Sequence, residues 1–158
     1  MKDRDIFALA ALQCVRGLNA AALLPLLRTL GGARRVWEAP AAELAAAGME
    51  RRTLAALERY RAKHAQEPER IAALCAEQAV SLVVLGEAEY PKSLAAIYQP
   101  PLVLYVRGNL PPDVECLGIV GARRFSRYGE GIAEKLGEEL VASGFCVVSG
   151  AARGIDTA

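Results

Sequence analysis

The sequence predicts an α/β protein in two parts: a small helical domain over residues 1–66, then, over residues 67–158, the first part of a parallel sheet with helices between its strands. Three observations carry that prediction. Up to about residue 66, apolar side chains recur at helical spacing and are broken by short turns containing Gly or Pro. From about residue 80, short β-branched apolar runs take over, bounded by Gly and Pro. The chain is 158 residues long, 53% hydrophobic and 23% charged, which supplies enough apolar material for a core and excludes wholesale disorder.

Along the chain, Asp3 or Asp5 is the first candidate cap, ahead of a helix with Ile6, Leu9, Ala10 and Leu12 on one face, and Gly17 breaks that helix. Asn19 is the next N-cap, preceding a Leu-rich helix that ends at Gly31-Gly32. Pro25 lies inside it and calls for a kink or a late start, because proline has no N–H and crowds the preceding turn. Short helices follow around Arg34–Glu38 and Ala41–Ala47, the second opened by Pro40 and closed by Gly48. Glu50–His64 is longer, with Leu54, Leu57 and Arg61 along one side, and Trp37 reads as core packing. The short turns between these segments make them a compact bundle.

Pro68 opens a helix to about Ala79. Ser81–Leu85 is a strand, and Tyr90-Pro91 starts a turn or short helix near Ser93–Ala96. Pro100-Pro101 forces an extended entry to a second strand, Leu102–Val106, with Tyr90 and Tyr98 packing at the sheet edge. Cys116–Val120 is a third apolar run, Tyr128–Ser143 an amphipathic helix with Ile132, Leu136 and Leu140 four residues apart, and Phe145–Val148 a fourth run. Strand, helix, strand at this spacing is a βαβ unit, hence a parallel sheet. Such a sheet ordinarily continues with more strands, so the chain reads as the N-terminal part of a longer protein.

Nineteen Lys and Arg against eighteen Asp and Glu give a net charge of +1, so there is no chain-wide basic footprint. Residues 1–80 nevertheless carry a net +3 and residues 81–158 a net −2. Cys14, Cys75, Cys116 and Cys146 are dispersed, and His64 is the only histidine. That pattern argues against a zinc site and a histidine triad, calls for no cofactor, and reads as buried, reduced thiols of a cytoplasmic protein. His64 reads as a solvated residue at a helix end. The N-terminus lacks an apolar signal core, and no apolar run reaches the ~18 residues needed to span a bilayer.

The most informative segment is Val120-Gly-Ala-Arg-Arg-Phe-Ser-Arg-Tyr-Gly129, which joins an apolar strand to a helix N-terminus. Free backbone N–H groups and the positive end of the helix dipole make such a junction an anion site. Gly121 lets the backbone approach a ligand, and Ala122 follows it. Arg123, Arg124 and Arg127 add positive charge, Ser126 caps the helix or donates to a phosphate oxygen, and Tyr128 offers a ring or a hydroxyl. The alternative is three solvated arginines and a simple N-cap. The segment is neither G-x-G-x-x-G nor a P-loop, and bulky cations suit an exposed polyanion better than a buried cofactor. Ser149, Gly150 and Arg153 follow the next parallel strand, so both loops leave the same edge of the sheet and face one crevice. Asp156 reads as a cap for the next helix. A weaker feature is Val15-Arg-Gly-Leu-Asn19, a helix-hairpin-helix-like turn in which Asn19 replaces the usual second glycine; it is a DNA contact or a structural hairpin.

Tyr90-Pro-Lys-Ser-Leu94, Pro100–Gly108, Gly118-Ile-Val-Gly-Ala-Arg-Arg124, Ser126-x-Tyr-Gly129 and Ser149-Gly-x-Ala-Arg-Gly-Ile-Asp156 together resemble the DprA/Smf DNA-processing family over roughly residues 80–158. The helical N-terminus is similar to that family's small SAM-like or helix-hairpin-helix domain. The resemblance implies an extended Rossmann-like fold that binds single-stranded DNA. It also implies a part in natural transformation, with protection of incoming strands, loading of a RecA-type recombinase, homodimerisation of the full-length protein, and no enzymatic activity. The family's phosphate-binding Gly-Ser-Arg loop maps onto Gly121, Ala122 and Arg123, with Ala122 as a departure that removes one hydroxyl.

Two other classes stay open from the residues. A Rossmann-type enzyme or binder of a nucleotide or small phosphorylated ligand would use the same anion site, with Glu130 and Asp156 as the nearby carboxylates. A protein-interaction module would instead present Arg34, Arg35, Arg51 and Arg52 from the helical part, residues that otherwise read as solvated helix faces.

Overall fold

The structure is a computed structural model that describes residues 3–110 and 114–157. The chain divides into two compact units, residues 1–110 and 111–158. The first holds α1 (Asp3–Gln13), α2 (Ala20–Leu30), α3 (Ala33–Glu38), α4 (Ala41–Ala46), α5 (Arg51–Lys63), α6 (Glu67–Glu77), β1 (Val80–Val84), α7 (Lys92–Ala95) and β2 (Val103–Arg107). The second holds β3 (Cys116–Gly118), α8 (Arg127–Ala142), β4 (Cys146–Val148) and a closing 3-10 turn, Ile155–Thr157. No helix among the described residues is long and apolar enough to cross a membrane.

Local chemistry sets the ends of α2. The Asn19 side chain accepts the Ala22 N–H at 3.0 Å. At the far end Gly31 turns left-handed at φ 82°, and the N–H groups of Gly31 and Gly32 both reach the Leu27 carbonyl. A glycine is suited to that turn because a side chain would be strained there. Pro25 does not delay the helix, which begins at Ala20. Asp5 lies inside α1 instead of capping it. Its carboxylate accepts the Arg34 N–H at 2.7 Å, capping α3, where Gly32 has no side chain for the purpose.

Residues Ala8 to Leu12 of α1 are buried all round, because α3, α6 and β2 pack about that helix. One apolar cluster joins Leu9, Leu12, Leu23, Val36, Leu44 and Leu57 to Ile71, Cys75, Val84 and Val103, so residues 67–110 share a core with the N-terminal helices. Trp37 is buried there, edge-on to Tyr60. Arg61 lies 5.7 Å from the Trp37 ring centre and donates to the Val36 and Ala39 carbonyls, so a cation closes the C-terminal end of α3.

The strands of the first unit correct one expectation. β1 and β2 pair antiparallel, Val80 opposite Arg107 and Val84 opposite Val103, and so are not part of a parallel sheet. Their connection carries only the four-residue α7, which returns the chain without a crossover helix laid along the sheet. On the other edge of β2 the Gln13 amide donates to the Val103 carbonyl at 3.0 Å and accepts its N–H at 2.9 Å, standing in for one residue of a third strand. Tyr90 is buried and donates its hydroxyl to the Pro101 carbonyl at 2.8 Å. Tyr98 does not pack on the sheet edge: it is 89% exposed in the turn that enters β2.

In the second unit β3 and β4 pair parallel, Cys116 beside Cys146 and Gly118 beside Val148, with α8 between them in sequence. This is the expected βαβ unit, although β3 stops at Gly118, short of Val120. Each sheet has two strands, so neither by itself constitutes the extended Rossmann-like sheet. Of the four cysteines only Cys75 is buried; Cys146 is half-buried, while Cys14 and Cys116 are exposed. Cys14 sits at the bend that follows α1 and Cys116 at the start of the short β3, two places where little chain covers a side chain.

Candidate anion-binding site

Two loops leave the carboxyl edge of the β3–β4 pair, residues 119–126 running into α8 and residues 149–154 running into the 3-10 turn. They are bonded to each other. The Ile119 N–H reaches the Val148 carbonyl at 3.0 Å, and the Ser149 hydroxyl donates to the Ile119 carbonyl at 2.8 Å. Further out, the Ile155 N–H reaches the Ala122 carbonyl, and the Gly121 N–H donates to Asp156 Oδ1 at 3.1 Å.

Glycines make this approach possible. A Cβ on Gly121 would lie 2.6 Å from Ile155, and one on Gly150 would lie 2.8 Å from Asp156 Oδ2. Gly154 adopts φ 119° and is packed against the Ala122 carbonyl and the Arg123 Cα. The structure therefore brings Gly121, Ala122 and Arg123 against the loop that carries Ser149, Gly150 and Arg153.

Arg124, Ser126, Arg127 and Tyr128 continue from that junction to the start of α8. Ser126 caps the helix, its Oγ accepting the Gly129 N–H at 3.1 Å, which leaves its own O–H free to donate. Ser149 does not keep that freedom, because its single O–H is directed at Ile119. Arg123, Arg124, Arg127 and Arg153 are exposed, and among the described residues no hydrogen bond or ion pair holds their guanidinium groups. Tyr128 is 80% exposed, with the half-exposed Phe125 nearby in sequence. Four exposed arginines thus lie on the two loops and the first turn of α8, next to a glycine-built junction, and a helix N-terminus with free cations is chemistry that can hold a phosphate.

Asp156 lies in the 3-10 turn Ile155–Thr157, and its carboxylate holds the Gly121 amide. Only the fold reveals this, because the partners are 35 residues apart.

The hairpin turn at Val15–Asn19 is occupied with its own structure. The N–H groups of Cys14, Val15 and Leu18 bond to carbonyls at Ala11, Leu12 and Val15. An open cavity of about 430 Å³ lies beside it, lined in part by Arg16, Gly17, Asn19 and Pro100. Arg34 is paired with Glu38 at 2.7 Å. The sequence also gave no hint of a buried polar cluster around Glu67. That carboxylate is 4% exposed and accepts from the Tyr60 hydroxyl at 3.1 Å and from Arg70 Nε at 2.8 Å. The Arg70 bonds hold Glu67 below the usual carboxylate range, while burial pushes the Tyr60 hydroxyl up. His64 stacks on Tyr60 with its Nδ1 3.7 Å from Glu67, and so is not simply solvated.

Residues 81–158 match the family described as DNA recombination-mediator protein A. The chain is 35% identical over 89 residues to the DNA processing protein DprA of Bacillus subtilis, covering 55% of this chain and 30% of that protein. It is 42% identical over 77 residues to the DNA processing protein DprA of Streptococcus pneumoniae, covering 44% of this chain and 24% of that one. Protein Smf of Synechocystis is 40% identical over 75 residues, covering 44% and 19% respectively. The chain thus spans less than a third of the length of these relatives.

Proposed function

Through residues 81–158 this chain belongs to the DprA/Smf DNA recombination-mediator family, and we propose on that footing that it binds the backbone of single-stranded DNA at the junction of its two glycine loops. The observation that carries this is the set of four exposed arginines, Arg123, Arg124, Arg127 and Arg153, without partners among the described residues, on loops bonded to each other. Arg123 clamps a phosphate, Arg153 closes on it from the second loop, and the α8 N-terminus with the Ser126 hydroxyl holds that phosphate or its neighbour. Tyr128 supplies a face on which a base stacks.

In this reading the role is binding, without catalysis. The protein shields single strands during DNA uptake and hands them to a RecA-type recombinase, and it works as a homodimer whose Rossmann-like sheet is completed beyond the two parallel strands. Nucleotide binding at the same junction is the second reading, favoured by the same helix N-terminus.

Fluorescence anisotropy with a labelled single-stranded oligonucleotide tests this. Affinity should fall with salt at a slope of roughly −0.7 per phosphate neutralised. Arg123→Glu should abolish binding without unfolding the chain. Equal affinity of that variant refutes the site, and saturable thermal stabilisation by one mononucleotide with none from an oligonucleotide favours the second reading.

A further inference from the structure

Cys116 and Cys146 are register partners at the start of β3 and β4, and the anion site at the other end of those strands does not use them. Directly paired residues of parallel strands point to the same face. Neighbouring strands lie about 4.8 Å apart, within the roughly 4.4–6.8 Å between Cα atoms that a disulfide spans. Desolvation first, and then the neighbouring Cys146 thiol, push Cys116 above the ordinary thiol range, so Cys116 reacts through its minority thiolate and faster as pH rises. Cys116 is exposed and Cys146 half-buried, so an oxidant meets Cys116 first.

We propose that Cys116 and Cys146 form a redox dithiol that a hydroperoxide closes to a disulfide, stapling β3 to β4 at the base of the two loops. Cys116, as thiolate, attacks one peroxide oxygen. An S–O bond forms, the O–O bond breaks, and the departing hydroxide or alkoxide takes up a proton, leaving a sulfenic acid on Cys116. Cys146, as thiolate, then attacks that sulfur. The S–S bond forms, the S–O bond breaks, and hydroxide leaves to become water. The two sulfurs together lose two electrons and the peroxide gains them. A thiol reductant reverses the closure by exchange.

The test exposes the full chain to hydrogen peroxide, blocks remaining thiols with a maleimide and maps tryptic peptides. Peptide 108–123 should appear joined to peptide 136–153, and dithiothreitol should separate them. In Cys146→Ser, a sulfenic acid trapped by dimedone should accumulate on Cys116, several-fold above wild type, because its resolving thiol is gone. Three results overturn the proposal: the two peptides stay unlinked while Cys14 is oxidised, Cys116 is joined to Cys14 or Cys75 instead, or trapped sulfenic acid on Cys116 is as abundant in wild type as in the variant.

Discussion

Replacing Gly154 by alanine should separate the two loops of the anion site. At φ 119° an alanine is strained by about 1–3 kcal/mol. The added methyl would also lie 2.6 Å from the Arg123 Cα and against the Ala122 carbonyl. Those are backbone atoms that cannot rotate aside, so the loop carrying Ala122 and Arg123 must move. Taking a loss of about 2 kcal/mol, the opening equilibrium of the βαβ unit shifts by roughly 30-fold. Hydrogen exchange at the Ile119 and Cys146 amides, which bond across the strand pair to Val148 and Glu115, reads that shift directly. Gly131→Ala is the control. It sits in α8 with nothing within 4 Å of its added methyl. It should gain about 1 kcal/mol of helix stability, or roughly fivefold more protection. If Gly154→Ala leaves both amides as protected as in wild type, the close packing of the loops is refuted.

Gln13→Ala leaves the N–H and carbonyl of the buried Val103 without their side-chain partner, and should cost about 1–3 kcal/mol in urea unfolding followed by Trp37 fluorescence. Glu67→Gln should cost a similar amount near neutral pH, again by urea unfolding. Because Arg70 depresses the folded pKa of Glu67, its stabilisation is complete above the ordinary value of 4.5 and is lost as pH falls through the lower folded value. Wild type should therefore lose stability with acid more steeply than Glu67→Gln, and parallel pH curves would contradict the cluster. Arg61→Met should unfold at lower denaturant than wild type, since the Val36 and Ala39 carbonyls lose their donors, whereas an exposed Arg51→Met should be near neutral.

Signals confined to a few neighbouring residues were legible before the fold was known. Asn19, Gly31 and Ser126 are caps because their own chemistry satisfies the helix ends beside them, and α2, α5 and α8 start or stop within a residue or two of the expected points. The anion loops were legible for the same reason, as Gly, Arg and Ser placed after apolar runs. Relations between distant residues were not. Strand composition does not encode direction, so the antiparallel β1–β2 pair was hidden. Gln13 meets Val103 across 90 residues, and Asp5 meets Arg34 across 29. The rhythm change near residue 67 was visible, but not that the segment after it shares a core with the helices. The Asp156–Gly121 bond and the Cys116–Cys146 register both depend on how β3 and β4 align.

On the proposed reading, residues 121–128 and 149–154 hold a DNA phosphate together. Backbone amide shifts of the isotope-labelled chain, followed while a short single-stranded oligonucleotide is added, test it residue by residue. Saturating shifts should concentrate at Gly121, Ala122, Arg123, Gly150 and the first turn of α8, and weaken with salt. Shifts confined to residues 1–110, or none at oligonucleotide concentrations that saturate anisotropy, would contradict it.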